Sequence, residues 1–386
     1  MRSAVIVDCV RTPVGRAHKD RGYYRDVRSD DLATLCVQAL MRRNAIPVEE
    51  IDDLILGNTQ QTREQGFNVA RNVGLMSGLS VTTAGATINR LCGSSLQAIN
   101  QAAHSIIANA EDVQIVGGLE HMQHIALDYG LDINPKLFQQ TSKGALHMGI
   151  TAEFLAQTQG ISREEQDEFA LASHQKAAAA TDAGEFENEI VPVFGKNEQG
   201  DRVLLKEDQC IRRDTSLEAL AQLEPAFLPK LGTVTAGNSS PLNDGAAALL
   251  IMSEEKAKQF GLQPKVRVVA TAVAGVEPCV MGTGPVPATA KALRRAGLKL
   301  ADIGLIELNE AFAAQSLACI RMAKFNPEIV NVRGGAIAIG HPLGASGARI
   351  TTTLINAMID RDVEFGLSTM CIGLGQGIAT IFQRVD

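Results

Sequence analysis

The spacing of structural elements repeats between the two ends of the chain. The intervals 51–92 and 303–345 cover 41 and 42 steps along the sequence, and the intervals that follow them, 92–117 and 345–371, cover 25 and 26. An internal repeat of matched spacing indicates that one structural unit occurs twice. We therefore predict two copies of one unit, related by pseudo-symmetry.

Each copy alternates strand-like and helix-like patterns. Apolar, β-branched segments predict strands at 4–10, 54–56, 83–88 and 113–116, and again at 266–270, 303–308, 365–370 and 378–385. Apolar residues at helical spacing lie between them, at 32–40, 68–76, 287–296 and 311–323. Such alternation predicts the α/β class with a largely parallel sheet. Asp30 or Asp31 is predicted to cap the first helix.

The two copies differ at one turn. The segment 371–377 leads directly into the last predicted strand, whereas 117–118 is separated from its equivalent strand, 246–252, by a long insertion. The insertion contains a helix, because Ser162 and Glu165 form a capping box before an alanine-rich run.

This difference predicts the domain organisation. Residues 1–262 form an N-terminal half into which a loop domain, residues 121–243, is inserted, and residues 263–386 form a C-terminal half. Much of the insertion is polar and irregular, and a long excursion of that kind is more often a binding lid than scaffold.

Composition narrows the classes of function. The net charge of −7 argues against a nucleic-acid partner, and an anionic ligand would need a local basic patch such as Arg212 and Arg213. The seven cysteines are scattered and never form a C-x-x-C pair, which argues against a disulfide framework and against zinc. No signal-peptide core and no run of 18 apolar residues occurs, so we predict a cytoplasmic protein.

Cys92 lies where the strand-like segment 83–88 gives way to a helical pattern containing Leu96, Ile99 and Ala103. Free N–H groups of a first helical turn, together with the helix dipole, favour thiolate over thiol. We therefore expect a lowered pKa at Cys92 and a nucleophilic role. A small buried hydrophobe remains the alternative interpretation.

The second copy places Gly340–Gly347 at the equivalent turn. Pseudo-symmetry would bring the two turns to a shared interface, where His341 could accept a proton from Cys92. The alternative is an exposed loop histidine. Cys371 ends a predicted strand, and the glycines from Gly373 onward precede another strand rather than a helix. Backbone N–H groups aimed at an oxyanion explain them better than a dinucleotide loop does.

Two polar pairs leave structural and functional interpretations open. Asn309 and Glu310 follow a predicted strand, and they fit helix capping as well as a functional site. His121 and His124 have the spacing of a metal-binding pair, but no third ligand lies at recognisable spacing. We therefore predict no metal site.

Several blocks of this sequence resemble the signature blocks of the thiolases. They are Leu91–Ser95, Gly232–Ser240, Asn243–Ala247, Asn309–Phe312, Gly340–Gly344 with Ser346 and Gly347, and Cys371–Gly373. They occur in family order and span essentially the whole chain, so the resemblance is specific. It implies the thiolase fold: two duplicated α/β units with packed mixed sheets and helices, plus an inserted loop domain.

Within this family, the segments 120–124 and 369–377 are most similar to the β-subunit of the bacterial fatty-acid β-oxidation complex. The resemblance implies cleavage of a 3-ketoacyl-CoA by coenzyme A, giving acetyl-CoA and a chain-shortened acyl-CoA. It also implies a homodimer bound to a larger α-subunit with hydratase and dehydrogenase activities, in an α2β2 complex. Coenzyme A would be a co-substrate, with no permanently bound cofactor.

The family mechanism, carried over to matching positions, gives each residue a role. Cys92 would attack the 3-keto carbon while His341 accepts its proton, and Cys371 would protonate the acetyl-CoA enolate left by carbon–carbon cleavage. The backbone N–H groups of Cys92 and Gly373 would form one oxyanion site. His341 and a water held by Asn309 would form the other.

Coenzyme A binding carries over to Arg213 near the nucleotide, Ser240 on the pantetheine path, and His147 and Met148 of the loop domain. One departure is Arg333, where relatives commonly have asparagine. It leaves the catalytic set intact, but it bears on the hydrogen bonding of the turn beside His341.

Three other functions are alternatives to a degradative thiolase. An acetoacetyl-CoA thiolase would use the same residues on a shorter substrate. A non-catalytic CoA- or lipid-binding relative would not need to retain Cys92, His341, Cys371 and Asn309 together. Condensing synthases of the superfamily lack a second catalytic cysteine, so Cys371 argues against them.

Overall fold

The computed structural model describes residues 2–385. Its strands are β1 (Ala4–Arg11), β2 (Gly15–Arg16), β3 (Asp53–Gly57), β4 (Ala84–Ile88), β5 (Val113–His121), β6 (Val193–Lys196), β7 (Arg202–Leu205), β8 (Asn243–Ser253), β9 (Val266–Gly275), β10 (Leu305–Leu308), β11 (Phe365–Ile372) and β12 (Gln376–Arg384). Its α-helices are α1 (Ser29–Arg43), α2 (Val69–Met76), α3 (Ser94–Ile107), α4 (Met148–Gln159), α5 (Arg163–Asp182), α6 (Leu217–Ala221), α7 (Glu254–Gln259), α8 (Pro285–Ala296), α9 (Ala313–Ala323) and α10 (Leu343–Asp360). Within these residues, no helix has the length and apolar character needed to cross a membrane.

One ten-stranded sheet runs through the molecule in the order β10-β11-β12-β9-β1-β8-β5-β3-β4, with β2 beside β8. In the first half, β1, β8 and β5 are antiparallel neighbours, and β3 and β4 follow in parallel with β5. In the second half, β9, β12 and β11 are antiparallel neighbours, and β10 is parallel to β11. A parallel bridge between Ile306 and Val330 takes the place of β4.

The halves therefore share strand order and strand sense, which confirms the predicted duplication. The sheet is mixed, so the prediction of a largely parallel sheet was wrong. The reason is that β11 turns directly into β12, which runs antiparallel to it. The equivalent strands of the first half, β5 and β8, are also antiparallel, although the insertion separates them along the chain. The halves join where Val5 and Ile6 of β1 pair with Arg267 and Val266 of β9.

Helices α3 and α10 pack against each other at the centre of the molecule. Leu96, Ile99 and Ile106 of α3 are fully buried. Helix α10 is buried on all sides from Gly344 to Met358, as expected for a helix surrounded by other elements. Because α3 starts at Ser94 and α10 at Leu343, the turns that carry Cys92 and His341 enter the two central helices in the same way.

The insertion contributes α4, α5, α6 and the hairpin β6–β7. Buried charges attach it to both halves. Glu189, which is 0% exposed, accepts hydrogen bonds from Nε of Arg11 on β1 at 2.6 Å, from Oγ1 of Thr353 at 3.0 Å and from Nδ2 of Asn356 at 3.2 Å on α10. Asp208 accepts a further bond from Nη1 of Arg11 at 2.7 Å. The buried charges of Arg11, Glu189 and Asp208 are therefore paired with opposite charges.

Two capping predictions have different outcomes. The capping box of Ser162 and Glu165 at the start of α5 is confirmed. The predicted cap of α1 by Asp30 or Asp31 was wrong, because Arg28 occupies the cap position without a side-chain cap bond. Asp30 lies in the first turn and accepts a bond from Nε of Arg28 at 2.9 Å.

Candidate active site

A cavity of about 430 Å³ opens between the two halves and the insertion. Its polar and reactive groups include Cys92 from the first half, His341, Cys371 and the backbone of Gly373 from the second half, and Asp128, His147, Met148, Ser239 and Ser240 from the insertion. Most of the remaining wall is apolar and includes Met122, Leu127, Leu131, Leu146, Phe227, Leu242, Met281, Phe312 and Leu343. An apolar cavity of this size with a few converging reactive groups fits a ligand with an apolar portion.

Cys92 follows a turn that holds the backbone in an uncommon conformation. Leu91 has a φ of 45°, a region that side chains larger than glycine rarely adopt. The N–H of Leu91 donates to Oδ1 of Asn89 at 2.8 Å, which fixes the turn. Conformations of this kind persist where the surroundings enforce them, and they concentrate at functional sites.

The sulfur of Cys92 is buried, with the backbone N–H groups of Gly373 and of Cys92 itself nearby. These donors lower its pKa, but burial outweighs them and raises the pKa of the Cys92 thiol to about 11. The lowered pKa expected from the helix N-terminus was therefore wrong, because the sequence does not reveal the loss of solvent around the sulfur. At neutral pH Cys92 is a thiol, and it needs a base to become a nucleophile.

His341 lies on a turn that only glycine can begin. Gly340 has a φ of 122°, and a Cβ there would lie 2.6 Å from Cγ1 of Val14. The backbone N–H of His341 donates to Oδ1 of Asn243 at 2.8 Å, which fixes the turn against β8.

The hydrogen bonds around the ring determine which nitrogen of His341 can act as a base. Nδ1 lies 2.5 Å from Oγ of Ser346, whose hydroxyl donates to the carbonyl of Pro342 at 2.8 Å. Because that hydroxyl has a single hydrogen, Nδ1 must carry the proton and donate to Oγ. Nε2 is then the lone-pair nitrogen. Burial, with the positive charge of Arg349, lowers the pKa of His341 to about 3, so the ring is neutral at physiological pH.

Asn309 and Cys371 complete the inner part of the site. Asn309 is fully buried behind His341, and its Nδ2 lies 3.3 Å from Nε2 of that ring. Its Oδ1 is buried and has no hydrogen-bond partner within residues 2–385, so it can accept from a water. Cys371 lies near the end of β11, and burial, together with the neighbouring Cys92, raises its pKa well above the usual range.

Of the residues implied for coenzyme A, three line the cavity. His147 and Met148 lie at the start of α4, and the hydroxyl of Ser240 donates to the carbonyl of Ala311 at 3.1 Å. The sulfur of Met148 would lie 3.9 Å from a Cβ built on Gly373, so Met148 lies beside Gly373 in the cavity wall.

Arg213 lies away from this cavity. It forms ion pairs with Asp182 at 2.5 Å and Glu207 at 3.7 Å, and about half of its side chain is exposed. Its neighbour Arg212 lines a small cleft with Arg16, next to Pro241 at the cavity border. Arg212 and Arg16 therefore line a cleft that shares Pro241 with the cavity, whereas Arg213 lines neither.

The fold brings Glu64 beside His121 and His124, a third group that sequence spacing did not reveal. The rings stack with centroids 3.6 Å apart. His124 contacts the carboxylate of Glu64 at 3.0 Å and the carbonyl of Arg25 at 3.0 Å, so both of its nitrogens face acceptors. This arrangement favours an imidazolium–carboxylate pair over a metal site.

Arg333, the departure from the family pattern, does not reach the turn of His341. Its buried guanidinium pairs with Glu185 of the insertion and with Asp360 at the end of α10. These ion pairs hold the insertion against the second half.

Some residues of the site were not predicted from the sequence. Ser346 lay within a signature block but received no role, and only its contact with the ring of His341 reveals one. Phe227 lies in an irregular segment without any sequence signal, yet its ring packs at 79° to that of Phe312, with centroids 5.9 Å apart, in the cavity wall.

A duplicated α/β fold and a cavity that unites a thiol, a neutral imidazole and backbone N–H donors are the features of an acyltransferase. Residues 4–255 match the family described as Thiolase, N-terminal domain, and residues 262–384 match Thiolase, C-terminal domain. The chain belongs to the thiolase family.

Its similarity to characterised relatives extends over the whole length. It is 53% identical to the 3-ketoacyl-CoA thiolase of Photobacterium profundum and 54% identical to that of Pectobacterium carotovorum subsp. carotovorum, with 100% of each chain covered. Human mitochondrial 3-ketoacyl-CoA thiolase superposes with a TM-score of 0.91 at 39% identity, covering 100% of this chain and 99% of that one. The acetyl-CoA acetyltransferase of Bacillus anthracis gives a TM-score of 0.90, also at 39% identity, with the same coverage.

Proposed function

We propose that this protein cleaves 3-ketoacyl-CoA with coenzyme A, giving acetyl-CoA and a chain-shortened acyl-CoA, as a step of fatty-acid β-oxidation. The observation that carries the proposal is the convergence of Cys92, His341 and Cys371 on one largely apolar cavity. Full-length identity of 53–54% to chains named 3-ketoacyl-CoA thiolase supports this substrate class.

The first half of the reaction forms an acyl-enzyme. Nε2 of His341 takes the proton from the thiol of Cys92, whose sulfur attacks the 3-keto carbon. The backbone N–H groups of Cys92 and Gly373, which act on the sulfur and lower its pKa, would stabilise the charge that the oxygen on the attacked carbon gains. Cleavage of the bond between C2 and C3 then leaves the acyl group on Cys92 and releases the enolate of acetyl-CoA.

The second half releases the product. Cys371 supplies the proton that converts the enolate to acetyl-CoA, and the raised pKa keeps its thiol protonated for this purpose. Nε2 of His341 and a water held by Asn309 stabilise the enolate oxygen. The thiolate of Cys371 takes the proton of a second coenzyme A thiol, whose sulfur attacks the acyl-Cys92 thioester and leaves with the shortened chain, and His341 returns its proton to the sulfur of Cys92. No permanently bound cofactor takes part in these steps.

The coenzyme A portion extends past His147, Met148 and Ser240. Its phosphates require positive charge, because the chain as a whole carries −7. Arg212 at the cleft beside Pro241 supplies such a charge. Arg213 would have to exchange its carboxylate partners for phosphate.

An acetoacetyl-CoA thiolase is the second candidate, and the fold comparison favours neither, since both solved relatives are 39% identical. The apolar cavity wall, with Leu131 and Leu242 half-exposed at its border, favours substrates with a longer acyl chain. Thiolysis rates over a chain-length series of 3-ketoacyl-CoAs decide between them. Activity confined to acetoacetyl-CoA would reject the first candidate.

The proposal includes an assembly and a location. A homodimer is supported by β4, which forms an open sheet edge, and by the exposed apolar side chains of Phe67 and Val81 in the flanking segments. The larger α-subunit would dock on the insertion and its rim, where Leu131 and Leu231 are exposed. Seven free cysteines are consistent with a cytoplasmic, reducing environment.

The acyl-enzyme is the direct test of this function. Incubation with a radiolabelled acyl-CoA should label Cys92, and Cys92→Ser should abolish labelling and turnover, because a hydroxyl ionises far less readily than a thiol. Cys36→Ser, at a buried cysteine of α1, is the matched control and should label normally. Label on any residue other than Cys92 would overturn the assignment.

A further inference from the structure

Glu120 is a buried carboxylate at the end of β5 that takes no direct part in the reaction above. It is 1% exposed, and within the described chain it does not line the cavity. Its Oε1 accepts hydrogen bonds from Nδ2 of Asn58 at 3.1 Å, the N–H of Gln60 at 3.3 Å and Nε2 of Gln65 at 3.0 Å. Its Oε2 accepts from the N–H and Oγ1 of Thr59 at 3.0 and 2.7 Å and from the N–H of Gly344 at 2.9 Å. Both oxygens are therefore saturated with donors.

One of these bonds reaches the turn that carries the base. Gly344 lies in the first turn of α10, where backbone N–H groups have no partner within the helix and the dipole favours a negative charge. A Cβ on Gly344 would lie 2.9 Å from Oε2 of Glu120 and 2.7 Å from Cα of Asn58, so the contact needs glycine. Glu120 thereby holds the start of α10, and with it the turn of His341, against the first half.

Other bonds reach the turn that carries the nucleophile. The carbonyl of Thr59 accepts from Nδ2 of Asn89 at 2.9 Å, and Oδ1 of Asn89 accepts from the N–H of Leu91 at 2.8 Å. Leu91 is the residue with the left-handed backbone immediately before Cys92. A short chain of hydrogen bonds therefore connects Glu120 with the turn that carries Cys92.

We propose that Glu120 is a positioning residue that sets the placement of Nε2 of His341 relative to the sulfur of Cys92. It is hydrogen-bonded directly to Gly344 beside the turn of His341 and is linked through Thr59 and Asn89 to the turn of Cys92, and these turns lie on different halves of the chain. Proton transfer depends steeply on such placement. The inference rests on the proposed function, because it assigns His341 the role of base.

The test uses the reactivity of Cys92 itself. Glu120→Gln keeps the shape of the side chain but turns an NH₂ group toward N–H donors. Alkylation of Cys92 by iodoacetamide at pH 7, and kcat for thiolysis, should each fall roughly 10- to 150-fold, the effect of losing a hydrogen bond to a charged group. KM should change by less than about twofold, because Glu120 lies outside the cavity.

A double-variant cycle separates positioning from general damage. If Glu120 acts through the base, adding Glu120→Gln to His341→Asn should not lower the alkylation rate, and loss of the negative charge that raises the pKa of Cys92 should increase it. A fall as large as in the wild-type background would overturn the proposal. Glu189→Gln is the matched buried control: it should lower thermal stability and leave kcat within about twofold, because Glu189 bonds only to structural partners.

A second variant serves if Glu120→Gln does not fold. Thr59→Val removes only the bond at 2.7 Å and should slow alkylation about tenfold, the lower end of the effect of losing one hydrogen bond to a charged group. A change below about twofold would overturn the proposal. Failure of the proposed function is distinguishable, because it would show as absent thiolysis in the wild type, whereas the alkylation cycle reads the Cys92–His341 pair without any CoA substrate.

Discussion

Ser346→Ala removes the group that fixes the proton of His341 on Nδ1. In the native protein, Nδ1–H donates to Oγ of Ser346 at 2.5 Å, and the hydroxyl is committed to the carbonyl of Pro342. Without Oγ, the buried Nδ1–H either stays unpaired or moves to Nε2. In the second form, Nε2 presents a hydrogen toward the cavity and can no longer accept the proton of Cys92.

The expected magnitude follows from the cost of a buried donor without a partner. That cost is about 1–3 kcal/mol, and about 1.4 kcal/mol corresponds to a factor of ten. Ser346→Ala should therefore lower the rate of acyl transfer to Cys92 roughly 5- to 150-fold. Because Ser346 lies outside the cavity lining, KM for acyl-CoA should remain near the wild-type value.

The assay is single-turnover labelling of Cys92 by acyl-CoA, followed over time. Ser316→Ala is the matched control, because Ser316 is a fully buried helical serine whose Oγ has no hydrogen-bond partner among residues 2–385. The control should label at the wild-type rate. Equal rates for the two variants would refute the assignment of the tautomer of His341 to Ser346.

The remaining predictions concern the other thiol and two pH dependences. Cys371→Ala should leave acyl exchange on Cys92 intact while thiolysis falls at least about 10²-fold, because only cleavage moves a proton at the α-carbon; equal loss in the two assays would make Cys371 structural. In His341→Asn, alkylation of Cys92 should rise about tenfold per pH unit toward its pKa of about 11, and a plateau near pH 8 would contradict this. His124→Asn should lower the free energy of unfolding by about 1.5–3 kcal/mol, most clearly between pH 4.5 and 6.5, measured by denaturant titration across pH. The bond from His124 lowers the pKa of Glu64 to about 2 despite burial, so Glu64 loses its contribution to stability as pH falls below 4.5. Glu64 raises the pKa of His124, so His124 loses its contribution as pH rises through that raised value. A stability deficit that persists undiminished at pH 9 would contradict the pairing.

Features that depend on local sequence were predictable. The duplication was visible because matched elements recur at matched spacing, and the start of α5 was visible because Ser162 and Glu165 satisfy each other's backbone donors. The convergence of Cys92 and His341 followed from symmetry, since equivalent turns of two related units meet at the interface between them.

Features that depend on burial or on distant partners were not predictable. The pKa of Cys92 rises because the fold excludes water from the sulfur, and no sequence pattern reports that loss of solvent. The partners of Glu120 lie 55 to 62 positions earlier in the chain and, through Gly344, 224 positions later. The mixed strand directions of the sheet were not predicted for a related reason. They depend on β8 pairing antiparallel with β5, from which the insertion separates it along the chain.

The central place of β1 in the sheet has a consequence for how the protein is made. Ala4 pairs with Ser253, and Val5 pairs with Arg267, so β1 leaves the ribosome long before β8 and β9, the two strands with which it pairs. At roughly 5–20 residues per second, translation of the intervening chain takes about 12–50 s. During that time β1, which is buried along its whole length in the finished protein, lacks both of the strands that flank it in the sheet. Nascent chains of this protein are therefore natural clients of chaperones that bind extended apolar segments.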